Sequence, residues 1–245
     1  MSIVTSGNLD SRSLATGNYG YSAVCLEDIE AAGASGYTLV CVANDVSSSV
    51  VAFKDDMEKA VSEIVKACQL SPRADNLMLR HTQFASDLSE THGWQLLSQC
   101  NLSDYDDFLQ VGGMTALNDA TENAISATVD WASQLAQRNY DVNGIVFIIT
   151  DGMENRSTLS VSVIKDALAK IKEEHLESLI SVLIGVNISE PSVSSALSTF
   201  QTDAGLTQYI ELENADAKLV RFVSQSISSQ SSALGTGSAS IPLQI

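Results

Sequence analysis

The 245-residue chain carries 30 acidic against 13 basic side chains, a formal charge of −17, and is 44% hydrophobic and 18% charged. Its length suits one generous domain, or one domain with extensions, around a sizeable core, while its charge opposes binding to phosphate backbones and anionic lipid surfaces. An aromatic share of 6% and only three prolines weigh against a loop-rich secreted module.

Residues 1 to about 35 form an amino-terminal extension punctuated by Gly17, Gly20 and Gly33. Its short apolar piece, Tyr21 to Cys25, suits an edge strand or an extended arm. From Tyr37 onward short apolar runs alternate with longer amphipathic stretches, the signature of β-α-β units around a mostly parallel sheet. The first of these strands, about 37–44, is apolar along most of its length, as a central strand covered on both faces should be. An amphipathic helix follows, with Phe53, Met57, Val61, Ile64 and Cys68 at steps of three or four. Residues 76–84 and 93–97 read as the second and third strands; the short gap between them leaves no room for a crossover helix, so the pair is expected to be antiparallel.

Thr115 opens a long helix whose buried stripe is Leu117, Ala120, Ala124, Ala127, Trp131 and Leu135. Residues 144–150 make a fourth strand, and Val161, Ile164, Leu168 and Ile171 mark a helix reaching to about His175. A fifth strand, 179–186, is followed by a helix that Pro191 starts and that runs to about Ala204. After a sixth strand at 208–212, Asn214 can cap a last helix carrying Ala217, Val220, Val223 and Ile227. The serine- and glycine-rich residues 228–245 have little to bury and read as a flexible tail. The expected fold is therefore α/β and doubly wound, a mostly parallel sheet of about six strands with one antiparallel edge strand and helices on both faces, spanning residues 36–227.

Four cysteines, Cys25, Cys41, Cys68 and Cys100, form no C-x-x-C pair and have no histidine at ligand spacing, so zinc is not indicated. Cys41 and Cys68 fall on apolar faces and read as buried thiols of a reducing compartment. Residues 1–7 lack the basic start and apolar stretch of a signal peptide, and no run approaches the length of a membrane span. The expected location is the cytoplasm.

Three polar strings fall at a strand end or helix start, in the loops that gather over the carboxyl edge of an open α/β sheet, where ligands bind. They are Asp45-Val-Ser-Ser-Ser49, Gly112-Gly-Met-Thr115 and Thr150-Asp-Gly152. Singly, Asp45 and Thr115 could each be helix caps. Together the carboxylates of Asp45 and Asp151 and the hydroxyls of Ser47, Ser49 and Thr115 suit a small hard cation that keeps some waters, magnesium before calcium, with manganese also compatible. Copper and zinc would call for nitrogen or sulfur ligands.

In these strings, in this order, the chain resembles the von Willebrand factor A domain family and its metal-ion-dependent adhesion site, over roughly residues 37–227. The resemblance implies that Ser47 and Ser49 bind the metal directly, that Thr115 binds directly or through water, and that Asp45 and Asp151 act largely through waters. It further implies an open position for an aspartate or glutamate of a partner protein. Ser48 stands where the family's first motif commonly has glycine, and Asn44 where an apolar residue is usual; neither removes a ligand.

The implied function is a magnesium-dependent protein-interaction module and not an enzyme, and stand-alone intracellular members of the family often work beside an ATPase or inside larger assemblies. Two alternatives stay open: a metal-assisted hydrolase, and a structural subunit whose termini make the contacts. Of the remaining polar residues, Glu154 reads as a solvated loop charge, with the rim of the site as its alternative. His81 in a strand, His92 in a turn and His175 near a helix end read as structural or exposed. Met114 reads as a packing residue, and Trp94 and Trp131 as core.

Overall fold

The structure, a computed structural model, describes residues 9–30, 33–169, 171, 176–212 and 217–235, without the side chains of 217 and 218. In chain order its elements are β1 (Leu9–Arg12), β2 (Tyr21–Val24), α1 (Leu26–Glu30), β3 (Gly36–Asp45), α2 (Lys54–Gln69), β4 (Leu77–Phe84), β5 (Leu88–Leu96), α3 (Leu117–Ala136), β6 (Asp141–Thr150), α4 (Val161–Ala169), β7 (Leu179–Val186), α5 (Pro191–Ala204), β8 (Gln208–Leu212) and α6 (Ala217–Ala233). They build a doubly wound α/β domain of Rossmann-like, von Willebrand factor A-like architecture around one sheet, ordered β1-β2-β5-β4-β3-β6-β7-β8.

β3 lies at the centre with all ten residues buried, pairing in parallel with β4 on one side and β6 on the other. Its period-two alternation divides the core. Val40 and Val42 face α2 and α6 together with Phe147 and Ile149 of β6. Leu39, Cys41 and Ala43 face the opposite layer, with Trp131 and Leu135 of α3, Ile164 of α4 and Leu197 of α5. Helices on both faces explain why the central strands read as unbroken apolar runs.

All six strands read from the sequence are present, and β4 and β5 are antiparallel as expected. Two more come from the amino-terminal extension: β2 adds in parallel to β5, and β1 adds antiparallel to β2. β5 is therefore enclosed, and the sheet ends at β1. The Tyr21 hydroxyl donates to Asp130 on α3, and the Arg12 guanidinium stands over the Trp131 ring at 4.9 Å, a cation–π contact that fixes this added hairpin to the helical layer.

Several boundaries differ from the expectation: β6 begins at Asp141 rather than 144, the helix expected to reach about 175 is described as α4 only as far as Ala169, and three further differences bear on the core and the site. β5 begins at Leu88 rather than 93, so His92 lies within a strand and not in a turn; residues 88–92 have no apolar run and become a strand by pairing with β4. α3 begins at Leu117, leaving Thr115 in the loop before it. α6 continues to Ala233, into the segment read as tail, because Gln230 is tied to the sheet: its Nε2 donates to the Gly144 carbonyl at 2.9 Å, its carbonyl accepts from Asn143 Nδ2 at 2.6 Å, and its Oε1 accepts from the Ser178 hydroxyl at 2.8 Å. His175, the cap Asn214 and residues 236–245 lie outside the described residues. Among the described residues no helix is long and apolar enough to cross a membrane.

From β3 the chain leaves through α2 to β4, whereas from β6 it leaves through α4 to β7 on the other side. The loops after these neighbouring strands therefore diverge and open a crevice at the carboxyl edge, the place where ligands bind in open α/β sheets.

Candidate metal centre

Asp45 ends β3 with its side chain wholly buried. One carboxylate oxygen, Oδ1, accepts the Ser47 main-chain N–H at 2.8 Å, and the other, Oδ2, accepts the Thr150 hydroxyl at 2.6 Å. The first bond turns the chain back on itself as aspartate side chains do in Asx turns. The second ties the end of β3 to the end of β6.

The folded-back loop brings the Ser47 hydroxyl to 3.0 Å from that of Ser49, and Ser49 donates to Asp151 Oδ1 at 2.9 Å. Gly152 locates the fifth residue: a Cβ built there would stand 4.0 Å from both Ser49 Oγ and Thr115 Oγ1. Asp45, Ser47, Ser49, Thr115 and Asp151, read from three distant strings, thus gather at one place.

The loops are laced together around them. Ser48 donates twice to the Gly113 carbonyl, from its N–H at 3.1 Å and its hydroxyl at 3.0 Å, and Gly112 N–H donates to the Val46 carbonyl at 2.7 Å. Ser48, at the position where the motif it resembles commonly has glycine, therefore adds a tie between the two loops. Gly113 has φ +92°, and a Cβ there would lie 2.8 Å from Ser86 Oγ, so both backbone and space call for glycine. The unusual Asn44 is buried, its Nδ2 donating to the Asp45 carbonyl at 3.2 Å.

Sequence reasoning missed the residues that hold the candidate donors in place. Asn155 grips Thr115 at two points, its Oδ1 accepting the Thr115 N–H at 2.8 Å and its own N–H donating to the Thr115 carbonyl at 3.1 Å. Glu154 is no solvated loop charge: its carboxylate accepts from the main-chain N–H groups of Asn118 (2.8 Å), Arg156 (2.7 Å) and Ser157 (2.6 Å) and from the Ser157 hydroxyl at 2.6 Å. The carboxylate thereby satisfies a free N–H at the start of α3, where the helix dipole also favours negative charge. Asp119, in the first turn of α3, accepts from the N–H groups of Thr158 and Leu159. In the sequence these residues are ordinary polar positions with no periodicity or motif to mark them.

Burial pushes the Asp45 carboxyl up to about 6, with nearby Asp151 adding to the shift, while the bonds from Thr150 and Ser47 act the other way. Asp151 is also raised by burial, opposed by the Ser49 hydrogen bond. Among the described residues neither carboxylate is in an ion pair. Nor do the described residues contain a cluster of three or more His, Cys, Asp or Glu suited to a metal, so a cation here would depend on the hydroxyls. Uncompensated carboxylates beside three hydroxyls form an all-oxygen donor set, which fits a hard divalent cation.

The other polar candidates lie elsewhere. His81 and His92 are buried between β4 and β5, where His81 Nδ1 meets the Thr91 hydroxyl at 2.8 Å and His92 Nε2 meets the Tyr105 hydroxyl at 2.6 Å. Trp94 and Trp131 are core residues. Met114 departs from its expected packing role, with 47% of its surface exposed beside Thr115.

No protein-family model and no curated protein sequence matches this chain. Solved structures share its fold. Proximal thread matrix protein 1 from the mussel byssus is 17% identical, with a TM-score of 0.52 over 78% of this chain and 46% of that one. The PilB minor pilin from Streptococcus sanguinis is 11% identical, with a TM-score of 0.54 over 79% of this chain and 61% of that one. The pilus adhesin SpaC from Lactobacillus rhamnosus GG is 10% identical, with a TM-score of 0.53 over 80% of this chain and 30% of that one. This chain thus spans less than two thirds of each, and at these identities the likeness is one of fold.

Proposed function

We propose that this chain is a magnesium-dependent protein-interaction module of the von Willebrand factor A type, with a complete metal-ion-dependent adhesion site. The observation that carries the reading is the convergence of the Ser47, Ser49 and Thr115 hydroxyls with the carboxylates of Asp45 and Asp151. Ser47 and Ser49 would hold the cation, Thr115 would hold it directly or through water, and Asp45 and Asp151 would hold its waters. When bound, such a cation supplies a Lewis-acidic position for an oxygen ligand from outside the chain. The chain's own part is to keep five oxygen-bearing groups together before any ligand arrives, through the Asp45–Thr150 bond, the Ser48–Gly113 ties and the Asn155 grip on Thr115.

The ligand from outside would be an aspartate or glutamate of a partner protein, such as an ATPase or a subunit of a larger assembly. We read the role as binding and not catalysis: the groups lining the site are hydroxyls and carboxylates, while His81 and His92 are engaged in a separate buried cluster. A cytoplasmic location belongs to the same proposal, supported by four free cysteines, three of them buried. The pilus and byssus proteins that share the fold support a role in contacts between proteins by analogy of architecture only.

The test is calorimetric titration of the metal-free chain with Mg2+, Ca2+ and Mn2+, repeated with Asp45→Ala, followed by capture of partners in magnesium and in chelator. Metal binding lost in the variant, and capture lost in chelator, are the expected results. Capture that is equal in all conditions would overturn the reading, and hydrolysis of a phosphate ester that Asp151→Ala abolishes would replace it with a catalytic one.

A further inference from the structure

Large apolar side chains stand exposed at five positions among the described residues: Val51 (66% exposed), Leu70 (74%), Leu102 (38%), Met114 (47%) and Met153 (46%). Three of the five lie within two residues of a proposed metal donor. Val51 follows Ser49, Met114 precedes Thr115, and Met153 follows Asp151. Their loops are physically joined, the first to the second by the Ser48–Gly113 bonds, and the third to both where Gly152 faces Ser49 and Thr115. Exposed apolar residues scattered singly are ordinary; the concentration of three of the five in the joined loops that carry the candidate donors points to a surface for contact.

Charge adds a second observation. Arg156, exposed in the loop that carries Asp151, makes no ion pair among the described residues, although its main chain is held by Glu154. In a chain of formal charge −17, an exposed cation in the loop that carries Asp151, without an ion pair among the described residues, favours an acidic visitor locally. At longer range the net charge repels such a visitor. Its binding must therefore be carried at short range, and a single carboxylate meeting a hydrated cation gains little apolar burial. Apolar contacts around the carboxylate would supply what charge does not.

Resting on the metal-centre reading, we propose that Val51, Met114 and Met153 form an apolar collar that selects a partner segment whose acidic residue is flanked by large apolar side chains. Arg156 adds attraction for acidic character in the same segment. Two of the three collar residues are methionines, whose flexible thioether side chains adapt to differently shaped neighbours. The collar therefore selects apolar character next to the acid and not one particular side chain.

The experiment is selection from a displayed peptide library with a fixed central Asp or Glu and randomised neighbours. The full chain is the bait, in Mg2+ and in chelator, and Mg2+ binding is followed separately by calorimetry. Selected peptides should be enriched in Leu, Ile, Phe or Met beside the acid in Mg2+. Combining Val51→Ser, Met114→Ser and Met153→Ser should leave Mg2+ binding unchanged and weaken the selected peptides by about tenfold or more, as for loss of clustered apolar contacts. Selection of acidic peptides without apolar enrichment, or equal affinity in the combined variant, would overturn the collar while the metal reading stands. Absence of Mg2+ binding by the unaltered chain would overturn the metal reading, a result seen without any peptide. Self-association that the combined variant abolishes would assign the surface to a second copy of the chain and overturn the partner assignment.

Discussion

Replacing Asp45 by Asn should stabilise the metal-free protein at neutral pH while abolishing its response to magnesium. The buried Asp45 carboxyl is pushed up to about 6, against about 3.9 in an unfolded chain. The folded state thus holds this proton more tightly than the unfolded one. The sign follows from linkage: the advantage is fully present below about pH 4, is lost as pH rises through 6, and leaves a penalty of roughly 3 kcal/mol at neutral pH.

Asn removes the charge and keeps the shape. Its oxygen can still accept the Ser47 N–H, and its amide can donate to the Thr150 hydroxyl. Thermal unfolding in chelator at pH 7.5 should therefore place Asp45→Asn above the unaltered protein by several degrees, at about 2–4 °C per kcal/mol for a chain of this size. The gap should close as pH falls to 4. The buried histidines titrate alike in both proteins and cancel in the difference. With saturating Mg2+ the order should reverse, because only the unaltered chain gains the stabilisation of a ligand bound to the native state. A variant less stable than the parent in chelator at pH 7.5, or a gap that does not change with pH, would refute the reasoning.

Asn155→Ala removes a partner from the Thr115 N–H; unfolding in urea should show a loss of about 1–3 kcal/mol, and titration should show weaker Mg2+ binding by a chain that still folds. Burial lowers the titration of both His81 and His92. Each is held neutral when folded but takes up a proton below about pH 6.5 when unfolded, so stability should fall as pH drops from 6.5, and His81→Phe should flatten that slope in urea melts. Gln230→Ala cuts the side-chain ties from α6 to Gly144 and Ser178; a loss of about 2–3 kcal/mol is expected in chemical denaturation, whereas a flexible tail would give no change.

Much of the architecture was legible because its signals are local and repeated. β3 and β6 are apolar runs bounded by polar strings, and α2 and α3 carry stripes at steps of three or four, so each element announces its buried face over one short window. Residues 88–92 did not, since nothing in Leu88-Ser-Glu-Thr-His92 marks a strand until β4 lies beside it. Gln230 was hidden for a similar reason: a polar residue in a serine-rich stretch reads as solvated unless a distant carbonyl is there to meet it.

The candidate site divides along the same line. The sequence by itself determined which five residues come together as candidate donors, because Asp45, Ser47, Ser49, Thr115 and Asp151 sit in short strings at strand ends and a helix start, and a doubly wound sheet brings such ends to one edge. Only the tertiary structure decided what holds them and what surrounds them. Asn155, Glu154 and Thr150 act through hydrogen bonds to residues 36 to 105 positions away, and such bonds depend on which loop lies opposite, which leaves no periodic trace in the chain. Exposure of Val51, Met114 and Met153 was likewise a property of the assembled surface, since an apolar residue beside a polar motif reads as packing until the space around it is known.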